Sequence, residues 1–157
     1  MEKKRSINII YSFTLLFFFI DFFIKRIVIK NMEPLQSIKV IPKFFSITYA
    51  QNSGAAWSIL SNSTLLLAIL SLVAFIIIGN YIKKMPEIKK IHIFGFSFLL
   101  GGILGNFIDR VFYGYVVDYL DFYIFGYDYP IFNFADMLIV VGAVVLVIGS
   151  VLNDRKK

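Results

Sequence analysis

Four apolar runs, each about as long as a bilayer's hydrocarbon core is thick, constrain this chain more than any other feature. They lie at about 7–29 ("INIIYSFTLLFFFIDFFIKRIVI"), 63–82, 91–108 and 131–152. At ~1.5 Å of rise per residue, runs of this length span the ~30 Å that lipid tails occupy. A helix satisfies its own backbone hydrogen bonds, so it is the default way for such a run to cross lipid. The sequence therefore predicts a mainly α membrane protein of four transmembrane helices. The composition agrees: 59% of the residues are hydrophobic and the mean hydropathy is +0.78, whereas soluble domains lie nearer ~45–50% apolar. The first run is too long for a cleaved signal peptide, is followed by "KRIVIKNMEPL" and offers no small-residue cleavage site; it reads as a permanent helix.

Basic residues orient the four helices. Lys3, Lys4 and Arg5 precede the first run, Lys83, Lys84, Lys89 and Lys90 separate the second from the third, and Arg155, Lys156 and Lys157 follow the fourth. These mark one side, which the positive-inside rule assigns to the cytoplasm, so both termini are expected there. The opposite side receives two longer connections, about 31–62 and 109–130. The second of them carries Asp109, Asp118, Asp121 and Asp128 against the single base Arg110. The formal charge of +6 is thus a topology signal and not a nucleic-acid footprint. The chain has no cysteine, which excludes structural disulfides, thiolate catalysis and lipidation of the chain itself. His92 is its only histidine, so no histidine-rich metal site and no cofactor is expected. A chain of 157 residues without internal repeats reads as one integral membrane domain, 1–157.

In the connection at 31–62, "SIKVIPKFFSITYAQ" alternates β-branched and aromatic residues around Pro42. Two or three short strands are expected there, lying as a small β-cradle on the outer face. "NSGAAWSIL" then places Asn52 and Gly54 at a turn before a short helix carrying Trp57, and the stretch from Lys39 to Ser61 is a candidate lid. Tyrosines 113, 115, 119, 123, 127 and 129 suit an interfacial aromatic belt, most of them as membrane anchors.

Charged groups within the apolar runs need a partner or a purpose, since an ionised carboxylate at the bilayer centre costs about 2.5–3.5 kcal/mol on insertion scales. Asp21 and Lys25 lie one helical turn apart and share a face. They read either as a mutually neutralising pair or as support beneath an active site. In "GGILGNFIDR", Gly101 and Gly105 form a small-residue face for helix packing. In the same stretch Asn106 and Arg110 form a clamp for a headgroup or a peptide carbonyl. Asp136 lies just inside the fourth run with Asn133 three residues earlier, and Asp118 lies upstream on the same side of the membrane. The two aspartates are either unrelated interfacial residues or a pair meeting at the outer rim. As a pair they could not both ionise cheaply, which would supply one base and one acid for activating water.

Five motifs in this order resemble the lipoprotein signal peptidase (signal peptidase II) family. They are Asp21 with Lys25, "NSGAAW" at 52–57, "GNFIDR" at 105–110, "VVDYLD" at 116–121 and "FNFAD" at 132–136, and their spacing around four hydrophobic segments agrees over nearly the whole chain. The resemblance implies a bacterial intramembrane aspartyl endopeptidase with four transmembrane helices, an outer β-cradle and a short outer-face helix. It would remove the signal peptide from diacylglyceryl-modified prolipoproteins, cutting before the lipidated cysteine. It implies Asp118 and Asp136 as the catalytic dyad. Asn52, Gly54, Asn106, Asp109, Arg110 and Asn133 would bind substrate or support the dyad, with Asp21 and Lys25 as structural support. The chain is expected to act as a monomer in the bacterial cytoplasmic membrane, with lipid and substrate as partners and the active site at the outer side. Phe22 and Ile24 depart from the family pattern, which often has a glutamine after the aspartate and a small hydroxyl residue before the lysine.

The main alternative is a small ion- or proton-coupled transporter or channel subunit relaying charge through Asp21, Lys25 and Asp136. It lacks the paired halves and matched broken helices such proteins show. A scaffold using the glycine face leaves the polar residues unexplained, and the glycine-x-glycine-aspartate motif of another intramembrane protease class is absent from the sequence.

Overall fold

The computed structural model describes residues 2–54 and 63–154, with side chains as far as Leu152. Four helices, α1 (Glu2–Asn31), α2 (Thr64–Lys84), α3 (Lys90–Tyr113) and α4 (Phe134–Asp154), are each long and apolar enough to cross a membrane. Strands β1 (Ser37–Ile41) and β2 (Phe45–Asn52) follow α1, and β3 (Val116–Ile124) and β4 (Tyr127–Asp128) follow α3. The expected outer helix around Trp57, and the lid stretch beyond Gly54, lie outside the described residues.

The bundle has an apolar outer surface around an interior that combines apolar residues such as Ile10, Ile82, Phe96 and Leu100 with polar ones. Leu15, Phe19, Phe23 and Ile27 of α1, Ile76 and Ile77 of α2, and Val140 and Val147 of α4 face outward, while Thr14, Asp21, Lys25, Ser97, Asn106 and Asp109 are buried. That is what a bilayer selects: lipid tails solvate the apolar faces, and polar groups gather where they can pair. α3 is the most buried helix and packs on all three others. Glycine makes the close approaches possible. A Cβ on Gly102 would run into the Ala135 carbonyl of α4, and one on Gly142 would lie 2.6 Å from the Leu99 amide. Gly101 and Gly105 instead face α1, where added carbons would meet Phe17 Cβ at 2.9 Å and Asp21 Oδ2 at 2.5 Å.

Helix boundaries follow caps more than hydropathy. α3 continues past residue 108 because nothing breaks it before Gly114, whose left-handed φ of 75° lets its N–H bond back to the Arg110 carbonyl. Asp109 and Arg110 are therefore helical residues, not part of the outer loop, and β3 begins directly after the turn. α4 starts at Phe134, three residues later than the apolar run does. Residues 130–132 are not helical, and Phe132 exchanges backbone hydrogen bonds with Leu120 of β3. At the other end of the bundle, α1 is helical from Glu2 through Lys3, Lys4 and Arg5, all good helix formers.

The cradle also differs from the expectation that the first connection alone would build it. Both connections contribute: the sheet order is β1-β2-β3-β4, antiparallel throughout, with Ala50 opposite Asp118 and Asn52 opposite Val116. Val117 and Tyr119 on one face of β3 pack with Tyr49 against Val28 and Met32 at the end of α1. Strand alternation then turns Val116 and Asp118 to the opposite face. The sheet thus sits at the bundle end opposite Lys3, Lys4, Arg5, Lys83, Lys84 and Lys90.

Candidate active site

Asp118 and Asp136 line one groove of about 790 Å³, together with Asn52, Gly54, Asn106 and Arg110. The pairing of β2 with β3 brings Asn52 beside Asp118, and Asn52 Nδ2 donates to Asp118 Oδ2 at 2.9 Å. The Asn52 side-chain oxygen in turn accepts from the Gly54 N–H at 2.9 Å, closing the expected turn. On the other carboxyl, Asn106 Nδ2 of α3 donates to Asp136 Oδ1 at 2.7 Å.

Asn133 joins the two. Its Nδ2 donates to Asp118 Oδ1 at 2.6 Å, and its backbone N–H donates to Asp136 Oδ2 at 3.1 Å. The Asp136 N–H returns a bond to Asn133 Oδ1 at 2.9 Å. This reciprocal pair is a capping box, with Asn133 as the N-cap of α4 and Asp136 as its third helical residue. The device that starts the helix also sets the position of the carboxyl.

A second polar layer lies behind the first. Lys25 Nζ contacts Asp21 Oδ2 at 2.8 Å, Asp109 Oδ2 at 2.9 Å and Asn106 Oδ1 at 2.9 Å, all buried between α1 and α3. The Asp21–Lys25 pair read from helical spacing is therefore part of a group of one cation and two carboxylates. Each carboxylate also grips the backbone next to one groove aspartate: Asp21 Oδ1 accepts from the Ala135 N–H at 2.9 Å and Asp109 Oδ2 from the Val117 N–H at 3.1 Å. Arg110 reaches from α3 to the carbonyls of Asn106 and Gly54, 3.3 Å each, tying the helix to the turn after β2.

Sequence reasoning missed Tyr119. It belongs to the tyrosines expected at the membrane interface, yet it is buried and its hydroxyl accepts from the Phe134 N–H at 3.2 Å, another orphan donor of the α4 start. The alternation of β3, which turns Tyr119 away from solvent alongside Val117, was the available signal.

Asp118 is 2% exposed, and burial followed by the neighbouring Asp136 charge pushes its carboxyl up to about 7, against the opposing hydrogen bonds from Asn52 and Asn133. Burial and a neighbouring carboxylate both make the ionised form of Asp118 costly. The other wall of the groove is apolar, with Met137, Val140 and Val141 of α4, and Val140 is also among the outward-facing residues of that helix. The groove thus joins a polar, carboxyl-bearing end to a lipid-facing flank. A smaller cavity of about 350 Å³ at the end of α1, lined by Asn31, Glu33, Gln36 and Tyr49, offers no comparable pair.

Comparison with known proteins agrees with this architecture. Residues 13–152 match the family described as signal peptidase (SPase) II. Curated lipoprotein signal peptidases from Francisella tularensis subsp. novicida (strain U112) and subsp. mediasiatica (strain FSC147) are each 42% identical over 141 residues, covering 87% of this chain and 87% of their own. A solved bacterial membrane enzyme, determined by the in meso method at 2.3 Å, superposes with a TM-score of 0.87 at 35% identity and covers 94% of this chain and 90% of its own. A second, at 1.9 Å, gives 0.80 at 36% identity over 89% and 90%.

Proposed function

Because this chain belongs to the signal peptidase II family, we propose that it is the membrane endopeptidase that removes signal peptides from diacylglyceryl-modified prolipoproteins, cutting before the lipidated cysteine. The observation that carries the mechanism is the bridging of Asp118 and Asp136 by Asn133 within one groove.

The substrate enters sideways from the bilayer. Its acyl chains stay against lipid, and its scissile bond reaches the polar end of the groove. The ionised carboxyl of the pair takes a proton from water as the water oxygen bonds to the scissile carbonyl carbon, while the protonated carboxyl donates to the carbonyl oxygen. As the resulting diol collapses, the first carboxyl passes its proton to the leaving amide nitrogen, the C–N bond breaks, and the second recovers the proton it gave. The pair ends as it began. Arg110 orients the substrate's polar backbone or glyceryl groups, Asn106 holds Asp136, and Asn52 and Asn133 hold Asp118 in place.

The protein acts as a single chain in the bacterial cytoplasmic membrane. The basic helix ends opposite the sheet belong to the cytoplasmic side, with both termini, and the groove to the outer side. That places the carboxyls at a rim that water reaches without the lipid having to leave. The transporter alternative finds no support: Asp21 and Lys25 are each 1% exposed and are bound into a closed polar group instead of lining a path to Asp136.

The test is cleavage in detergent of one prolipoprotein in two forms, with and without its diacylglyceryl group. Cleavage of the modified form alone supports the proposal; equal cleavage of both, or of neither, contradicts it.

A further inference from the structure

The orientation of one buried amide decides how the carboxyl pair is held. Asn106 stands between the two polar layers: its Oδ1 accepts from Lys25 Nζ at 2.9 Å and from Asn133 Nδ2 at 3.2 Å, while its Nδ2 donates to Asp136 Oδ1 at 2.7 Å. An ammonium has three donors and no acceptor. The Asn106 oxygen must therefore face Lys25, and the amide nitrogen must face Asp136. Turned over, the amide would set an N–H₂ against the Lys25 ammonium and the Asn133 N–H₂, and a lone pair against a carboxylate. With Lys25 replaced by an apolar side chain, the flip is opposed only by Asn133 and by Asp136 itself, and the opposition from Asp136 weakens when that carboxyl carries the shared proton.

We infer that Lys25 is a positioning residue for the reaction: it locks the Asn106 amide so that Asn106 always donates to Asp136. This goes beyond neutralising Asp21 and Asp109, and it rests on the dyad reading above. The charged and titratable groups that act on the carboxyl pair are Lys25 from α1, Arg110 from α3 and Tyr119 from β3, while Asp21 and Asp109 are paired to Lys25 in the layer behind. Loss of the Asn106 donor and loss of the Lys25 charge both make the ionised pair less favourable. The effect on Asp118 has the same sign, since the Lys25 charge is one of the influences lowering its pKa.

Lys25→Met alone would strand two carboxylates inside the bundle, so the test combines the change at Lys25 with Asp21→Asn and Asp109→Asn, which leaves no unpaired charge in the group. There the side-chain oxygens still accept from Ala135 and Val117. Adding Lys25→Met removes the donor to Asn106; adding Lys25→Gln at the same net charge restores an N–H donor. The reading predicts that the Met triple variant loses at least about tenfold in kcat with KM within about threefold of the parent enzyme. Its pH profile should lie above that of the Gln triple variant, which has the same net charge, and the Gln triple variant should recover at least about fivefold in kcat. Equal kcat and equal pH profiles for the Met and Gln variants would overturn the inference, because Lys25 would then act only through its charge. Failure of the dyad reading itself shows separately, as undiminished cleavage by Asp136→Asn.

Discussion

Asn133 and Asp136 hold each other at the start of α4, each backbone N–H bonded to the other's side chain, at 3.1 and 2.9 Å. Helix initiation and the placement of a carboxyl are one structure here, and Asn133 adds a third bond to Asp118. These roles separate by substitution. Asn133→Ser keeps a good N-cap but is too short to reach Asp118, so thermal stability in detergent should be nearly unchanged while kcat falls at least about tenfold. Asn133→Ala loses both, with about 1 kcal/mol of added destabilisation. Equal activity in the Ser variant and the parent would remove the Asp118 contact from the mechanism.

Activity should fall through neutral pH. Asp118 is pushed up to about 7 by burial and by Asp136, so below that pH the pair retains its shared proton, and above it the proton leaves and the acid is lost. The alkaline limb of kcat/KM is expected near pH 7. Asn52→Leu removes a hydrogen bond that favours the ionised form, so it should move that limb upward. A limb that moves downward, or does not move, contradicts the assignment.

Arg110→Lys should impair the enzyme despite its preserved charge. The guanidinium reaches two carbonyls on different elements, Asn106 of α3 and Gly54 after β2, and an ammonium on a flexible stem does not reproduce that fork. A loss of about tenfold in kcat/KM, mostly through KM, is expected from steady-state kinetics with modified substrate.

Gly102→Ala should destabilise more than Gly114→Ala disturbs the helix packing. The first places a methyl group against the backbone carbonyl of Ala135, which has no room to yield; the second meets nothing within 4 Å and strains only a left-handed φ of 75°. Overpacking of this kind costs about 1–3 kcal/mol. Because Ala135 precedes Asp136, the Gly102 variant should also lose kcat. Thermal unfolding and turnover on the same preparation check both effects.

The four helices were legible because lipid imposes a length and an apolar content that few other settings impose. The edges of the helices were less so. Hydropathy could not distinguish Ile131 and Phe132, the second of which pairs with Leu120 of β3, from a first helical turn, although "NFAD" carried the spacing of a capping box. Nor could it show that α3 would run on through Asp109 and Arg110 to Gly114. The sheet was half-seen, since pairing between residues 45–52 and 116–122 depends on two distant connections meeting over the end of α1. Lys25 was visible with Asp21, one turn away, and its equally close partner Asp109 was not, because that contact exists only once α1 packs on α3. Local spacing reveals partners within an element, whereas partners between elements come from the fold.

The most direct test of the account is single-turnover cleavage of a diacylglyceryl-modified prolipoprotein by Asp118→Asn and Asp136→Asn, each shown to be folded by its thermal transition in detergent. Each substitution removes one acid–base partner, so each should lower the rate by at least about 10²–10⁴-fold while substrate binding persists. Cleavage at the parent rate by either folded variant would contradict the claim that the two carboxyls act together on one water.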